Sequence, residues 1–189
     1  MTGAGVAARV GERTVTEEAV ESRVTALRRG PLASRLPRPG TADARNLRRW
    51  VVQLLTYEAV VEEAAASMGL TAEKTCRRRE FSLSAALGTG GVTAAVLASL
   101  PVATAVYDRI TADITVAPSE VRAYYDRNRD QHPGPYDTSR PAISDELRRA
   151  AADRHFTFWL ERRHATTVTL HPGFEHPADP RHADATHRH

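Results

Sequence analysis

The sequence predicts a mainly α-helical domain that carries a small antiparallel sheet, and three observations favour this fold class. Strand-like runs stand near both ends of the chain, over residues 6–16 and 166–170. Between them, apolar residues recur at the three- and four-residue spacing of amphipathic helices. The chain has 189 residues, a length that suits one domain. We therefore expect a helical domain over residues 1–170 and a separate tail over residues 171–189.

The first element is a tight hairpin over residues 6–16, with a Gly-Glu turn at its centre. A helix should follow and end at about Arg29, because a glycine and a proline come next. Either Thr14 or Thr16 can cap its first turn, since glutamates stand at the spacing that N-caps favour.

The next helix has the clearest pattern, from about Thr41 to Gly69. Gly69 stands where a left-handed C-cap belongs. At 1.5 Å per residue the helix would be roughly 40 Å long, so we expect it to be the spine on which other helices pack. Its apolar stripe consists of Leu47, Trp50, Val51, Leu54, Leu55, Val61, Ala65 and Met68.

The rest of the chain predicts two strands and five more helices, for six or seven helices in all. The strands are expected at 113–116 and 166–170, and both should join the hairpin in one sheet. Pro118 suits the first position of a helix, where its missing N–H costs nothing. The helices are expected over residues 71–87, 92–100, 101–110, 118–129 and 143–163.

Three stretches of the chain form a pattern: the hairpin turn Val10-Gly11-Glu12, the alanine-rich end of the long helix at 64–70, and residues 114–128 with their tyrosine pair and asparagine. In this order they resemble the chaperone core of SurA-like and PrsA-like proteins. The resemblance implies a helical fold with a groove that holds apolar or extended peptide.

The family normally carries a parvulin prolyl isomerase domain as an insert, and such a domain needs on the order of 90 residues. Only about a dozen residues lie between Arg129 and Ile143. No residue can therefore be assigned to an isomerase active site, and prolyl isomerase activity is not expected. Whether the chain catalyses another reaction stays open.

Composition narrows the choice of partners and compartment. The formal net charge is +3, and Lys74 is the one lysine among 26 basic residues, a bias that GC-rich codons produce. The arginines are spread among 23 acidic residues, so we expect no nucleic-acid partner. With no apolar run of membrane-spanning length and no visible secretory signal, we expect no membrane association. The single cysteine, Cys76, fits a reducing compartment and predicts a cytoplasmic protein.

Four residues are candidates to line a ligand groove, namely Trp50, Tyr124, Tyr125 and Asn128. The last three lie about one helical turn apart and could instead pack their helix on the small sheet. Trp50 lies on the long helix, which could equally pack on another subunit, so a homodimer stays open.

The tail is unusual because it holds five of the eight histidines in its 19 residues. Imidazoles near carboxylates are ligands for zinc or nickel, so a divalent metal is a candidate cofactor, although none is required. The alternative is a solvated extension whose histidines titrate near neutral pH. Phe174 favours docking of residues 173–177, because an aromatic ring favours burial. The candidate ligands are His171, His176, His182, His187 and His189.

If the protein is an enzyme, Glu175 and His176 are the first candidates for acid and base. Neighbours in an extended chain point in opposite directions, which argues against this pair. Cys76 precedes three arginines, which favours a thiolate, but a small apolar helix position explains it better. The glycines at 88–91 fit a hinge better than a phosphate loop, because no Walker lysine follows them.

We therefore expect a non-catalytic SurA-like module that binds an unfolded or extended peptide, or a partner protein, as a chaperone or accessory protein. The alternative is a small-ligand-binding protein or an enzyme of specialised metabolism on the same scaffold, metal-assisted through the histidine-rich tail.

Overall fold

The computed structural model describes residues 5–31, 33–71, 91–179, 181–182 and 184. Within these residues the chain forms six α-helices and three β-strands. It divides into two compact units. The expected boundary between a domain and a tail after residue 170 does not coincide with the boundaries of these units, and it stays a prediction. The first unit comprises Met1–Gly69 and Leu160–His189, and the second comprises Leu70–Trp159.

A three-stranded antiparallel sheet brings the two ends of the chain together in the first unit. β1 (Val6–Val10) lies between β2 (Arg13–Thr16) and β3 (Val168–Leu170). β1 and β2 are joined by a tight turn in which Gly11 has a φ of 53°, a left-handed conformation that favours glycine. The Gly11 N–H also donates to the Thr167 carbonyl at 3.0 Å, which extends the pairing of β1 with β3. The predicted fold class is confirmed.

Two helices pack against this sheet, α1 (Glu17–Arg29) and α2 (Ala42–Ser67). The Thr16 hydroxyl accepts the Ala19 N–H at 3.2 Å, so Thr16 is the N-cap of α1. The predicted N-terminal hairpin and first helix are therefore both present at the expected residues.

α2 is the spine of the first unit, as expected. Thirteen of its 26 residues are buried, because it contacts both α1 and the strands of the hairpin. It ends at Ser67, and Gly69 follows with a φ of 64°, so the predicted left-handed glycine is confirmed.

The second unit is built from helices joined by short connections. They are α3 (Gly91–Ser99), α4 (Ala103–Ile110), α5 (Pro118–Arg127) and α6 (Tyr136–Thr167), of which the last turns belong to the first unit. Aromatic and aliphatic side chains form the interior of this unit. Those that are buried include Val96, Val106, Tyr107, Val121, Tyr125, Ile143 and Phe156.

The predicted strand at 113–116 is wrong. The sheet contains only the three strands at the two ends of the chain, within the residues that the structure describes. The Ile114 N–H donates to the Thr111 carbonyl at 3.1 Å, which turns the chain directly after α4. Pro118 then begins α5, as expected, so the segment is a short connection between two helices.

The last helix is longer than predicted, because residues 131–141 were expected to form a loop and the helix was expected only from about 143 to 163. It begins at Tyr136, where the N–H groups of Thr138 and Ser139 donate to the Pro135 carbonyl and form the first turn. Pro141 lies inside the helix, in its second turn, and lacks the N–H that would bond to the carbonyl four residues earlier.

Among the described residues, no single helix is both long and apolar enough to cross a membrane; only α3 and α4 together, bent by 119° at their junction, pass that test. The predicted helix at 71–87, with Cys76, and the glycines at 88–90 lie outside the described residues.

Candidate functional site

A groove of about 320 Å³ lies in the second unit, between α5, α6 and the connection that precedes α5. Glu120 fixes the start of α5, because its Oε2 accepts the Ala117 N–H at 2.9 Å. The lining of the groove combines apolar side chains with two guanidinium groups. The lining residues include Val116, Tyr124, Leu147, Ala151, Arg127 and Arg154.

The structure gives the four predicted groove residues different surroundings. Tyr124 lines the groove. Tyr125 is buried against Ile143, and its hydroxyl donates to the Gly134 carbonyl at 2.7 Å, so it packs α5 on α6 and not on the sheet. Asn128 closes α5 by donating from Nδ2 to the Tyr124 carbonyl at 2.8 Å. Trp50 is half-buried in the first unit. Whether any of the four contacts a ligand stays a prediction.

A second candidate is a polar cluster on one face of α2, in the first unit. Arg49, Gln53 and Thr56 are all buried and follow each other at intervals of four and three residues. Buried polar side chains need partners, since an unsatisfied group in the interior destabilises the fold. This face of α2 therefore depends on groups supplied by α6 and the tail.

His164 of α6 is the partner of Thr56. Its Nε2 lies 2.9 Å from the Thr56 hydroxyl oxygen, and its ring stacks on Tyr57 with centroids 3.9 Å apart. The Thr56 hydroxyl oxygen also lies 2.8 Å from the Gln53 carbonyl oxygen; when the hydroxyl donates its one hydrogen there, Nε2 carries the ring proton. The assignment leaves Nδ1 as a hydrogen-bond acceptor.

The same surroundings keep His164 neutral. Burial, with a smaller contribution from the charge of nearby His176, lowers the pKa of His164 to about 4. Burial also raises the pKa of Tyr57, with a contribution from Glu161. At neutral pH both rings are uncharged, and His164 is too weak a base to serve as a general base near pH 7.

The tail packs on this face of α2, and the predicted docking through Phe174 is confirmed because its ring is buried. The Arg48 guanidinium lies 5.5 Å from the centre of the Phe174 ring. Asp184 forms ion pairs with Arg45 and with Arg49, the latter at 3.0 Å. Hydrogen bonds from both arginines hold the pKa of Asp184 well below its usual range.

The two candidates for acid and base have different partners. The Glu175 carboxylate accepts the Gly173 N–H at 2.8 Å, and its other oxygen lies 3.8 Å from Arg49 Nε. Hydrogen bonds from the backbone N–H groups of Gly173 and of Glu175 itself, with a smaller effect of the Arg49 charge, lower the pKa of Glu175. His176 is exposed and accepts the Ala178 N–H through Nδ1 at 3.1 Å. Glu175 is thus a fixed carboxylate that does not orient His176.

The candidate metal ligands that the structure describes, His171, His176 and His182, do not form a metal site. His171 continues the sheet through its N–H, which donates to the Ala7 carbonyl at 3.0 Å. His182 is buried, and its Nε2 donates to the Pro177 carbonyl at 2.9 Å. Within the residues described, no group of three or more His, Cys, Asp or Glu side chains could hold a metal ion. His187 and His189 lie outside those residues.

Sequence reasoning missed a second cavity in the second unit, of about 290 Å³. Charged side chains of α6 at intervals of three and four residues were its only visible signal. The partners of the polar face of α2 were missed as well, because they lie more than one hundred residues away along the chain. The second cavity is lined by residues that include Tyr107, Asp108, Thr111, Asp145, Arg148 and Arg149.

Comparison with known proteins adds one similarity. A family described as "Family of unknown function (DUF7158)" matches residues 6–43, which comprise the hairpin, α1 and the first residues of α2. No curated protein matches the chain. No solved structure matches it.

Proposed function

We propose that the protein is a non-catalytic module that binds an extended peptide or a partner protein, as a SurA-like chaperone core does. The observation that carries this proposal is the groove lined by Tyr124 in the second unit. The partner would be an unfolded client or a protein that presents an extended segment.

The groove offers two kinds of contact to such a segment. Tyr124, Val116 and Leu147 provide apolar surface, on which one buried aliphatic side chain gains about 2 kcal/mol. Arg127 and Arg154 can pair with acidic residues that flank this side chain. Because association costs several kcal/mol of freedom, binding through this one groove should be weak, in the micromolar to millimolar range.

The partners of Glu175 and His176 support a non-catalytic role. Glu175 binds its own turn and Arg49, whereas His176 binds Ala178. An acid–base pair would need both groups directed at one substrate atom.

The test is whether the purified chain, at a near-stoichiometric ratio, suppresses aggregation of a denatured client such as citrate synthase. Ala151→Trp fills the groove and should abolish the effect. Ala165→Trp, on an exposed position of the same helix, is the matched control and should retain it. No suppression by excess wild-type chain, or equal suppression by both variants, would contradict the proposal.

The second cavity favours the alternative, a small-ligand-binding protein or an enzyme of specialised metabolism on the same scaffold. Metal assistance through the tail stays a separate proposal, because the cavity belongs to the second unit and the tail to the first. Asp108, Asp145, Arg148 and Arg149 give this cavity both signs of charge, which suits a small zwitterion. A thermal-shift screen with amino acids tests it: stabilisation in wild type that disappears in Arg149→Gln would favour this function.

The remaining expectations are part of the same proposal. We propose a cytoplasmic protein, because its one cysteine suits a reducing compartment. Nucleic acid and membranes are not among its proposed partners, and a homodimer through the α2 face that carries Trp50 stays a proposal that sedimentation would test.

A further inference from the structure

An aspartate close to the end of the chain is held by two arginines of α2. Arg45 donates from Nε to Asp184 Oδ2 at 2.8 Å and from Nη2 to Oδ1 at 2.5 Å, which is a bidentate ion pair. Arg49 donates from Nη1 to the same Oδ2 at 3.0 Å. The Asp184 side chain is consequently only 10% exposed.

The site also contacts the backbone of its occupant. Asn46 Nδ2 lies 3.5 Å from the Asp184 carbonyl oxygen, while Asn46 Oδ1 accepts from Arg49 Nη1 at 3.0 Å. A free carboxylate would meet the arginines alone, whereas an aspartyl residue within a polypeptide also meets Asn46. The geometry therefore suits a peptide that carries an aspartate.

Asp184 leaves part of this site unsatisfied. Arg49 Nε and Gln53 Nε2 are buried and have no hydrogen-bond partner among the described residues, although Glu175 Oε2 lies 3.8 Å from Arg49 Nε as an ion-pair partner. Gln53 is 2% exposed and lies one turn after Arg49 on the same face of α2. Buried N–H groups without acceptors are unfavourable, so a ligand that supplies those acceptors would bind better than the chain's own aspartate.

The segment that precedes Asp184 is held by local contacts. Asp179 accepts from both the backbone and the guanidinium of Arg181, and His182 bonds to the Pro177 carbonyl. Arg181 is itself 88% exposed. Because these hydrogen bonds all lie within residues 177–182, Asp184 can dissociate from the two arginines while the bonds remain formed.

We propose that Arg45, Asn46 and Arg49 form an aspartate-binding site, which Asp184 occupies in the free chain and which an acidic segment of a partner protein takes over. This site lies in the first unit and is independent of the groove in the second unit.

The test uses the full chain with Asp184→Asn, which removes the resident carboxylate, and fluorescence anisotropy at low salt. Two labelled probes are used, the peptide of residues 178–189 and an unrelated peptide, acetyl-Ala-Ala-Asp-Ala-Ala-amide. Each has a counterpart with asparagine in place of aspartate. We expect the variant to bind both aspartate probes about tenfold more tightly than their counterparts, and more tightly than the wild-type chain binds them.

Further substitutions in the Asp184→Asn chain locate the binding. Arg45→Gln, at a half-exposed position that does not endanger folding, should abolish the preference for aspartate. Arg13→Gln, which removes an exposed arginine paired with Glu62, should leave it unchanged.

Equal binding of aspartate and asparagine probes, or a preference that survives Arg45→Gln, would overturn the proposal. Binding of only the peptide of residues 178–189 would also overturn the proposal, because the site would then serve only to hold the chain's own tail. Ala151→Trp should not alter these results, so failure of the groove and failure of this site can be told apart.

Discussion

Both compact units bury apolar side chains, but among the described residues the buried charged side chains lie in the first unit alone. In the second unit the side chain of Phe156 lies against Tyr107 and Trp159, and Ile143 is fully buried. In the first unit α2 buries Arg49 and Thr56, which need partners of matching chemistry. Apolar packing requires shape, whereas polar burial requires a specific donor or acceptor at a specific place. The first unit should therefore respond to pH and charge, and the second mainly to loss of volume.

The largest loss of stability is expected from a substitution in the interior of the second unit. Phe156→Ala removes a fully buried ring and should lower the free energy of unfolding by about 3–5 kcal/mol, measured by urea denaturation. Phe158→Ala is the matched control, because Phe158 is 64% exposed on the same helix, and it should change stability by at most about 0.5 kcal/mol. If both variants lose similar amounts of stability, Phe156 is not more buried than Phe158, and the interior described for the second unit is wrong.

The next largest effect is the change of stability with pH that we expect from His164 in the first unit. The pKa of His164 is about 4 in the folded chain and near 6.5 when unfolded, so the unfolded state binds more protons between these values. The free energy of unfolding should therefore fall as the pH is lowered from about 6.5 to about 4. Allowing for the partial exposure of the ring, we expect this loss to be about 2 kcal/mol.

Urea denaturation at several pH values measures this loss. His164→Phe keeps the stacking on Tyr57 and should remove most of the pH dependence in this range. His155→Phe, at an exposed position of the same helix, should retain it. A pH dependence that persists unchanged in His164→Phe would assign the effect to another group.

A smaller effect is expected where the tail meets α2. A double-mutant cycle of Arg49→Gln and Asp184→Asn should show favourable coupling, because the Arg49 side chain is almost fully buried. The same cycle on Arg122 and Asp126, an exposed pair on α5, should show coupling close to zero. Equal coupling in both cycles would mean that the tail contributes no more than a surface ion pair.

The smallest effect concerns a local signal that needs no tertiary partner. Thr16→Ala removes the N-cap of α1 and should cost about 1 kcal/mol in the free energy of unfolding. Thr25→Ala, at an exposed position inside the same helix, should be neutral or slightly stabilising. If Thr16→Ala leaves the free energy of unfolding unchanged, the Thr16 cap does not stabilise α1.

Local patterns predicted much of the fold. The threonine cap before α1, the glycine after α2 and the proline at the start of α5 all stand where the structure places helix ends. The alternation at 113–116 misled the prediction, because four residues between a turn and a helix-starting proline have no strand to pair with. The start of α6 was missed because residues up to 141 were assigned to a loop, whereas the structure continues the helix through Pro141.

The surroundings of the candidate site residues were harder to predict than the helix ends. Tyr124 was identified by its position on a helix and does line the groove, whereas Tyr125 and Asn128 serve packing and capping. Glu175 and His176 were chosen for their chemistry alone, and their different partners depend on the turn that each one joins.

By itself, the sequence determined the helical character, the hairpin and most helix ends, because caps, turns and apolar spacing act over a few residues. Only the tertiary structure decided that Thr56 meets His164 and that Arg49 meets Asp184, pairs separated by more than one hundred residues. The physical reason is that a buried polar group is satisfied by whichever partner the fold brings within about 3 Å, and no local pattern encodes that distance.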